Sequence, residues 1–308
     1  MKKLFTLALA LSVTFAGFAQ VQKVGKTNER QNPATMQKAA RMEASFENVQ
    51  SQANMTRTDG ELDYTTYDWQ SNDGARTWTI VWPDNKVNFG YTMATTDNFS
   101  DRGTGIGTYD YESDEWIPSG GRVENEKTGF GSIARYGANG IVVTAHTATE
   151  CGVYLIDDKD NIGPGCATTL PKLDNTFDPT WPNVMTSGVN RDIIHIVATA
   201  NGHTDVPGAE GATDPIIYFR SKDGGLTWDK QNVVLPFMGI EDAIDWTSNC
   251  CYWMETTEDN CLALVINTGH TDGMVLYSYD DGNTWERKVY FHDPCPGVEV
   301  EESFFYPR

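Results

Sequence analysis

From Asp63 to Arg308 the apolar residues fall into short runs rich in Val, Ile, Thr, Tyr and Trp, separated by Gly, Asp and Asn. Runs of this length bounded by turn residues predict strands, and their regular spacing predicts an all-β sandwich, barrel or propeller. The runs group in fours. The clearest unit covers residues 183–187, 193–198, 216–220 and 232–235, and the next repeats that order at 251–255, 261–267, 274–279 and 287–291. An upstream unit reads 131–136, 141–146 and 153–157, with a vague fourth strand before Leu170. The earliest reads 77–82, 87–93 and 106–111, with a poor fourth strand near Trp116. First strands recur near Trp78, Ile133, Val184 and Tyr252, at steps of roughly 50–70 residues, close to the ~40–50 of propeller blades. A four-stranded meander cannot bury both of its faces alone, and radial stacking of such units covers them.

The chain before Asp63 has a different pattern. Lys2 and Lys3 precede an apolar run, Leu4 to Ala19, broken only by Thr6, Ser12, Thr14 and Gly17. Gly17 and Ala19 place small residues at the −3 and −1 positions of a signal-peptidase site. The run is shorter than the ~20 apolar residues of a spanning helix, so residues 1–19 are read as an export signal and the mature chain as secreted or displayed at a bacterial cell surface. No Cys follows to carry a lipid. Residues 20–62 form a polar lead-in, with a short helix predicted over 36–49, and residues 63–308 form the propeller.

Charge narrows the partners. The chain has 43 acidic and 23 basic residues and a formal net charge of −20. Nucleic-acid binding needs a basic face, and adsorption to an anionic membrane needs basic residues as well. Neither is expected, nor is membrane insertion of the mature chain. Export permits disulfides among the six cysteines, and proximity favours Cys250 or Cys251 with Cys261 across one hairpin. No Cys-x2-Cys pair suggests zinc, and no metal or cofactor is expected.

Two units carry nearly the same turn between their third and fourth strands: Ser221-Lys222-Asp223-Gly224-Gly225-Leu226-Thr227-Trp228 and Ser278-Tyr279-Asp280-Asp281-Gly282-Asn283-Thr284-Trp285. Both fit Ser-x-Asp-x-Gly-x-Thr-Trp. The Asp carboxylate is placed to accept backbone N–H bonds, the Gly to supply a positive φ, and the Trp to pack under the blade. Residues 71–78 and 109–116 are partial matches; the second is read as a decayed copy. In these turns the chain resembles the Asp-box, or bacterial neuraminidase repeat, propellers of the sialidase superfamily. The resemblance covers roughly residues 63–308 and implies a ring of six or seven blades. It also implies that the boxes lie on the rim away from the active face, with a structural role for Ser221, Asp223, Gly225, Thr227 and Trp228 and for Ser278, Asp280, Gly282, Thr284 and Trp285.

The family's sialidases hold a substrate carboxylate with three arginines, one of them in a Phe/Tyr-Arg-Ile-Pro segment that this chain lacks. Arg135, in a first strand, is the nearest substitute, while Arg191, Arg220 and Arg287 are read as surface pairs. General glycoside hydrolysis needs two carboxylates, and the loop acids offered are Glu124, Glu126, Asp178, Asp242 and Asp245, with Glu150 offered as a ligand-site residue beside Arg135, Asp178 and Asp245. Gly202-His203-Thr204-Asp205 and Gly269-His270-Thr271-Asp272 repeat after two second strands, with Ala145-His146-Thr147 and Thr95-Thr96-Asp97 in the corresponding places. His203, Asp205, His270 and Asp272 are either recurring turns or a site shared by neighbouring blades. Trp181 and Trp246, placed in fourth-to-first loops, are offered as sugar-stacking or capping residues. Residues 157–161 lack the Gly and Glu of a calcium loop and are read as a turn.

The function expected is therefore a secreted module that binds glycan or protein through its blade loops. The alternative is a sialidase-like exo-glycosidase acting on extracellular glycans. Residues 64–69 look like a stray strand borrowed by a closing blade, and 303–308 like the opening strand of a fifth. The expectation is a fragment of a longer protein, with about two further blades and a C-terminal sorting domain.

Overall fold

A computed structural model describes residues 63–67, 70, 78–147, 150–239, 252–257, 259–266 and 272–292. The predicted export signal, the helix at 36–49 and the strand at 303–308 lie outside them. The described residues form four antiparallel four-stranded meanders, each ordered as in the chain. Blade 1 contains β1 (Thr79–Val81), β2 (Lys86–Met93), β3 (Gly103–Asp110) and β4 (Glu115–Ile117). Blade 2 contains β5 (Gly129–Tyr136), β6 (Gly140–His146), β7 (Cys151–Ile156) and β8 (Thr168–Thr169). Blade 3 contains β9 (Pro179–Ser187), β10 (Ile193–Ala200), β11 (Ile216–Ser221) and β12 (Lys230–Val234). Blade 4 contains β13 (Tyr252–Thr256), β14 (Leu262–Ile266), β15 (Gly273–Ser278) and β16 (Glu286–Phe291). This is the expected propeller architecture. The two strands that were faint in the sequence, β4 and β8, are only three and two residues long.

Blades stack in chain order: β5 packs on blade 1, β9 on blade 2, and β13 on β9. The residues of β6 and β14 are all buried, and those of β10 nearly all. A strand covered on both faces needs a continuous apolar run rather than alternation, which is why the second strands were the easiest to read. Separate cores fill the spaces between blades. Ile106, Ile133 and Tyr154 lie in the core between blades 1 and 2, Val184, Ile194 and Phe219 between 2 and 3, and Tyr218, Met254 and Leu276 between 3 and 4. The outer strand β16 is largely exposed.

Two expectations are corrected. Residues 64–67 form no strand. Thr66 N donates to Ala94 O at 2.8 Å, Ala94 N to Thr65 Oγ1 at 3.0 Å, and the Gln70 amide to the carbonyls of Tyr67 and Thr92. Hydroxyl and amide side chains thus take the bonds a neighbouring strand would have made, and the segment seals one end of blade 1. Second, Cys261 is a free thiol, as are Cys151 and Cys166. Thr257 N donates to Cys261 O at 2.9 Å, so Cys261 sits at the turn of the β13–β14 hairpin. Cys250 and Cys251 are outside the described residues. Cys251 directly precedes β13, which has five residues. A five-residue strand is roughly 16 Å long, whereas a disulfide requires Cα atoms within about 7 Å.

Candidate functional site

The meander order sorts the connections to two ends. First-to-second and third-to-fourth turns share one end, here the box face. Second-to-third loops and the crossings between blades share the other, here the loop face.

On the box face the two repeated turns close on themselves. Asp223 Oδ1 accepts from Thr227 N at 2.8 Å and Oδ2 from Thr227 Oγ1 at 2.6 Å, while Ser221 Oγ accepts from Gly225 N at 2.7 Å. Asp280 does the same with Thr284 N and Oγ1, at 2.8 and 2.7 Å, and Ser278 Oγ with Gly282 N at 2.8 Å. These bonds hold the Asp280 carboxyl down at about 2. Gly225 and Gly282 have φ of 86° and 76°. Trp228 Nε1 donates to Pro171 O, and Trp285 meets Tyr218 edge-on at 5.6 Å, so each turn leans on the preceding blade. In the partial match at residues 109–116, Asp110 accepts from Glu112 N at 2.8 Å. Residues 157–161 are a turn as expected, with Lys159 paired to Asp84 at 2.6 Å.

One buried network was not foreseen. His195 is wholly buried within β10. Its Nδ1 lies 2.7 Å from Tyr218 Oη and its Nε2 2.8 Å from Ser187 Oγ, and Ser187 Oγ donates to Asp281 Oδ1 at 2.9 Å. The single hydroxyl hydrogen of Ser187 goes to the carboxylate, so His195 must donate from Nε2 and accept from Tyr218 at Nδ1. The ring is neutral, and burial holds its pKa below the usual histidine value. Arg220 was expected in a surface pair but is buried. It forms a two-pronged pair with Asp229, at 3.0 and 2.5 Å, and also donates to the Asp281 carbonyl. Asp281 has φ of 64°, where the other box has Gly224. The signals available in the sequence were a histidine within an apolar run and an Asp in a glycine position.

The loop face is built from aromatic rings. Phe130 lies against His146 (5.4 Å, stacked), Trp181 (4.8 Å) and Tyr67 (5.9 Å), and Tyr67 against Phe99 (5.1 Å). The Arg102 guanidinium covers Tyr67 and Phe130 at 5.6 and 5.4 Å. Phe99, Phe130, Asp178 and Trp181 all have positive φ. For bulky residues this conformation is uncommon and is held only by surrounding structure. Phe130 and Trp181 occupy matching places in two blades, at irregularities near the start of β5 and β9. Trp181 thus belongs to a strand rather than to a loop.

Beside this cluster, Phe177 meets the His203 ring edge-on at 5.4 Å. His203 Nε2 is 3.2 Å from Asp178 Oδ2, and Nδ1 is 4.0 Å from Asp205 Oδ1. The Asp205 side chain is 89% exposed, the Asp178 side chain 47% and the His203 ring 26%, so this set reaches solvent.

The other named residues lie apart. Arg135 is at the box-face end of β5, over Trp82 at 5.0 Å, so it does not meet Asp178 or Glu150. Glu150 pairs with Lys172 at 3.0 Å. Glu126 accepts from Tyr154 Oη at 3.0 Å. Glu124 is buried and accepts from Thr104 N, Thr104 Oγ1 and Thr128 Oγ1. Burial raises its pKa, and it ties blade 1 to the following crossing. Asp272 contacts His292 Nδ1 at 2.9 Å, just beyond the end of β16. Asp242, Asp245, Trp246 and His270 are outside the described residues. Among the described residues no three His, Cys, Asp or Glu side chains gather as metal ligands would.

No protein-family model matches the chain, and no curated protein matches it. Similar solved structures include a polysaccharide lyase of family PL25, an ulvan lyase, at TM-score 0.41 and 11% identity over 68% of this chain. Another is a six-bladed fucose-recognising lectin from Aleuria aurantia, at TM-score 0.43 and 8% identity over 69%. A third is a GH43_1 enzyme from Xanthomonas citri complexed with xylotriose, at TM-score 0.46 and 9% identity over 70% of this chain and 73% of that one. The chain spans 54% and 58% of the first two. Likenesses this distant assign no activity.

Proposed function

We propose that the chain is a glycan-binding module that takes a neutral oligosaccharide on its loop face. The observation that carries this reading is the solvent-reaching set of Phe177, Asp178, His203 and Asp205 beside the Trp181–Phe130–His146 cluster. A sugar ring offers C–H faces that pack on aromatics and hydroxyls that donate to carboxylates. Two carboxylates at the opening favour hydroxyl donors and repel acidic sugars. The backbone strain supports the reading, because strained conformations at bulky residues concentrate at ligand sites. The module is taken as exported on the strength of its first 19 residues, and as part of an Asp-box propeller on its two boxes.

The flanking of His203 by two acids keeps one alternative specific, an exo-glycosidase using Asp178 and Asp205 as its carboxylate pair. A glycan array probed with the full chain tests both. Retention of neutral oligosaccharides without change supports binding. Release of a monosaccharide that stops in Asp178→Asn establishes the hydrolase. Absence of any glycan signal contradicts both.

A further inference from the structure

An open cavity of about 400 Å³ lies on the box face, between the β5–β6 and β9–β10 turns. That size falls in the range of small-molecule sites. Arg135 and Tyr136 line it from the end of β5, and Val189, Asn190, Arg191 and Asp192 from the facing turn. The two turns are tied together by Gly137 N, which donates to Arg191 O at 3.2 Å, and the facing turn is closed by Arg191 N, which donates to Gly188 O at 3.1 Å. The walls are therefore fixed rather than loose.

Charge in the cavity opposes that of the chain. Two arginines face one carboxylate, Asp192, in a protein with a formal charge of −20. Arg135 is held over the Trp82 ring at 5.0 Å. Its Nε is buried and meets no hydrogen-bond acceptor among the described residues. A buried donor without an acceptor is costly, and a guanidinium offers paired donors suited to an oxyanion. Arg191 keeps a weak bond to Thr186 O at 3.4 Å and lies within electrostatic reach of Glu255. The Tyr136 hydroxyl remains a neutral donor, because burial and the nearby Asp192, Asp157 and Asp223 raise its pKa.

We propose that this cavity is a second binding site, for a carboxylate- or sulfate-bearing ligand of about monosaccharide size, with Arg135 and Arg191 on its oxyanion. It lies on the opposite face from the Asp178–His203 set and stands or falls independently of it.

Titration calorimetry on the full chain, with sodium glucuronate, inorganic sulfate and glucose as probes, tests the site. Glucuronate is expected to bind, and an excess of glucose not to displace it. Sulfate is expected to compete, which identifies the oxyanion rather than the sugar as the recognised group. If sulfate binds and glucuronate does not, the ligand is a sulfate. Affinity should fall when NaCl is raised from about 0.02 to about 0.2 M. Arg135→Gln should weaken binding at least roughly tenfold, the scale of one lost charge-assisted contact. Asp192→Asn, which removes the competing carboxylate, should tighten it. Displacement of glucuronate by glucose, no binding of either anion at millimolar concentration, or unchanged affinity in Asp192→Asn would each overturn the proposal. The last of these remains decisive if Arg135→Gln does not fold.

Discussion

The two faces of the blades are made of different materials. The box face is held by short polar turns whose bonds close within eight residues, and by the Ser187–His195–Tyr218 and Arg220–Asp229 groups that reach Asp281. The loop face is held by aromatic rings drawn from residues as far apart as Tyr67 and Trp181, several on strained backbone. The first is a fastening between neighbouring blades. The second has its rigidity at the place where polar groups meet solvent. Self-contained polar turns point to architecture, and converging rings with an open polar edge point to recognition.

The largest expected effect is on the fastening. Arg220→Ala leaves Asp229 without its partner and the Asp281 carbonyl without a donor. Breaking a buried ion pair costs about 3–5 kcal/mol. Since Asp229 is partly exposed, the lower end of that range is expected in urea denaturation. A loss below about 1 kcal/mol would mean that the network does not join blades 3 and 4.

A pair of glycine substitutions separates the faces further. Gly282 has φ of 76°, and a Cβ there would overlap the Tyr218 hydroxyl. Gly202, on the loop face, has φ of 79° and nothing within 4 Å of such a Cβ. Gly202→Ala should therefore cost only the left-handed penalty, about 1–2 kcal/mol, and Gly282→Ala clearly more. Equal losses in thermal melting would remove the distinction between a packed turn and an open one.

The smallest effect concerns pH. His195 is neutral in the fold, with its pKa depressed by burial. The unfolded chain, with histidine near 6.5, binds the proton first. The stability this group contributes is therefore present above about 6.5 and lost as pH falls toward the folded value. Wild-type melting should drop over that window, and His195→Gln should flatten the drop. A wild-type curve flat from pH 7 to 5 would contradict the hydrogen assignments in the network.

The same contrast explains what could be read from the chain. Continuous apolar runs such as Ile193–Ala200 announced the inner strands, and the boxes announced their turns, because both signals are local. The two-residue β8 left almost no pattern. Cys261 misled because nearness in sequence ignored the length of β13. Arg135 was offered as a substitute for a family arginine from its place in a first strand alone, and the direction of β5 carries it to the box-face end. Phe99, Phe130 and Phe177 escaped notice because each is an unremarkable aromatic until the fold gathers them. His203, by contrast, drew attention through its repeated tetrapeptide, and it lies against Phe177 and Asp178.

The central claim is that the loop face recognises and the box face fastens. Its most direct test is titration of a neutral oligosaccharide taken from the array into wild type, Phe177→Ala and Trp285→Ala, each at a temperature where it is folded. Roughly tenfold weaker binding is expected in Phe177→Ala, the scale of one lost aromatic contact. Unchanged affinity is expected in Trp285→Ala despite a lowered melting temperature. Unaltered binding in Phe177→Ala with loss in Trp285→Ala would place recognition on the box face and contradict it.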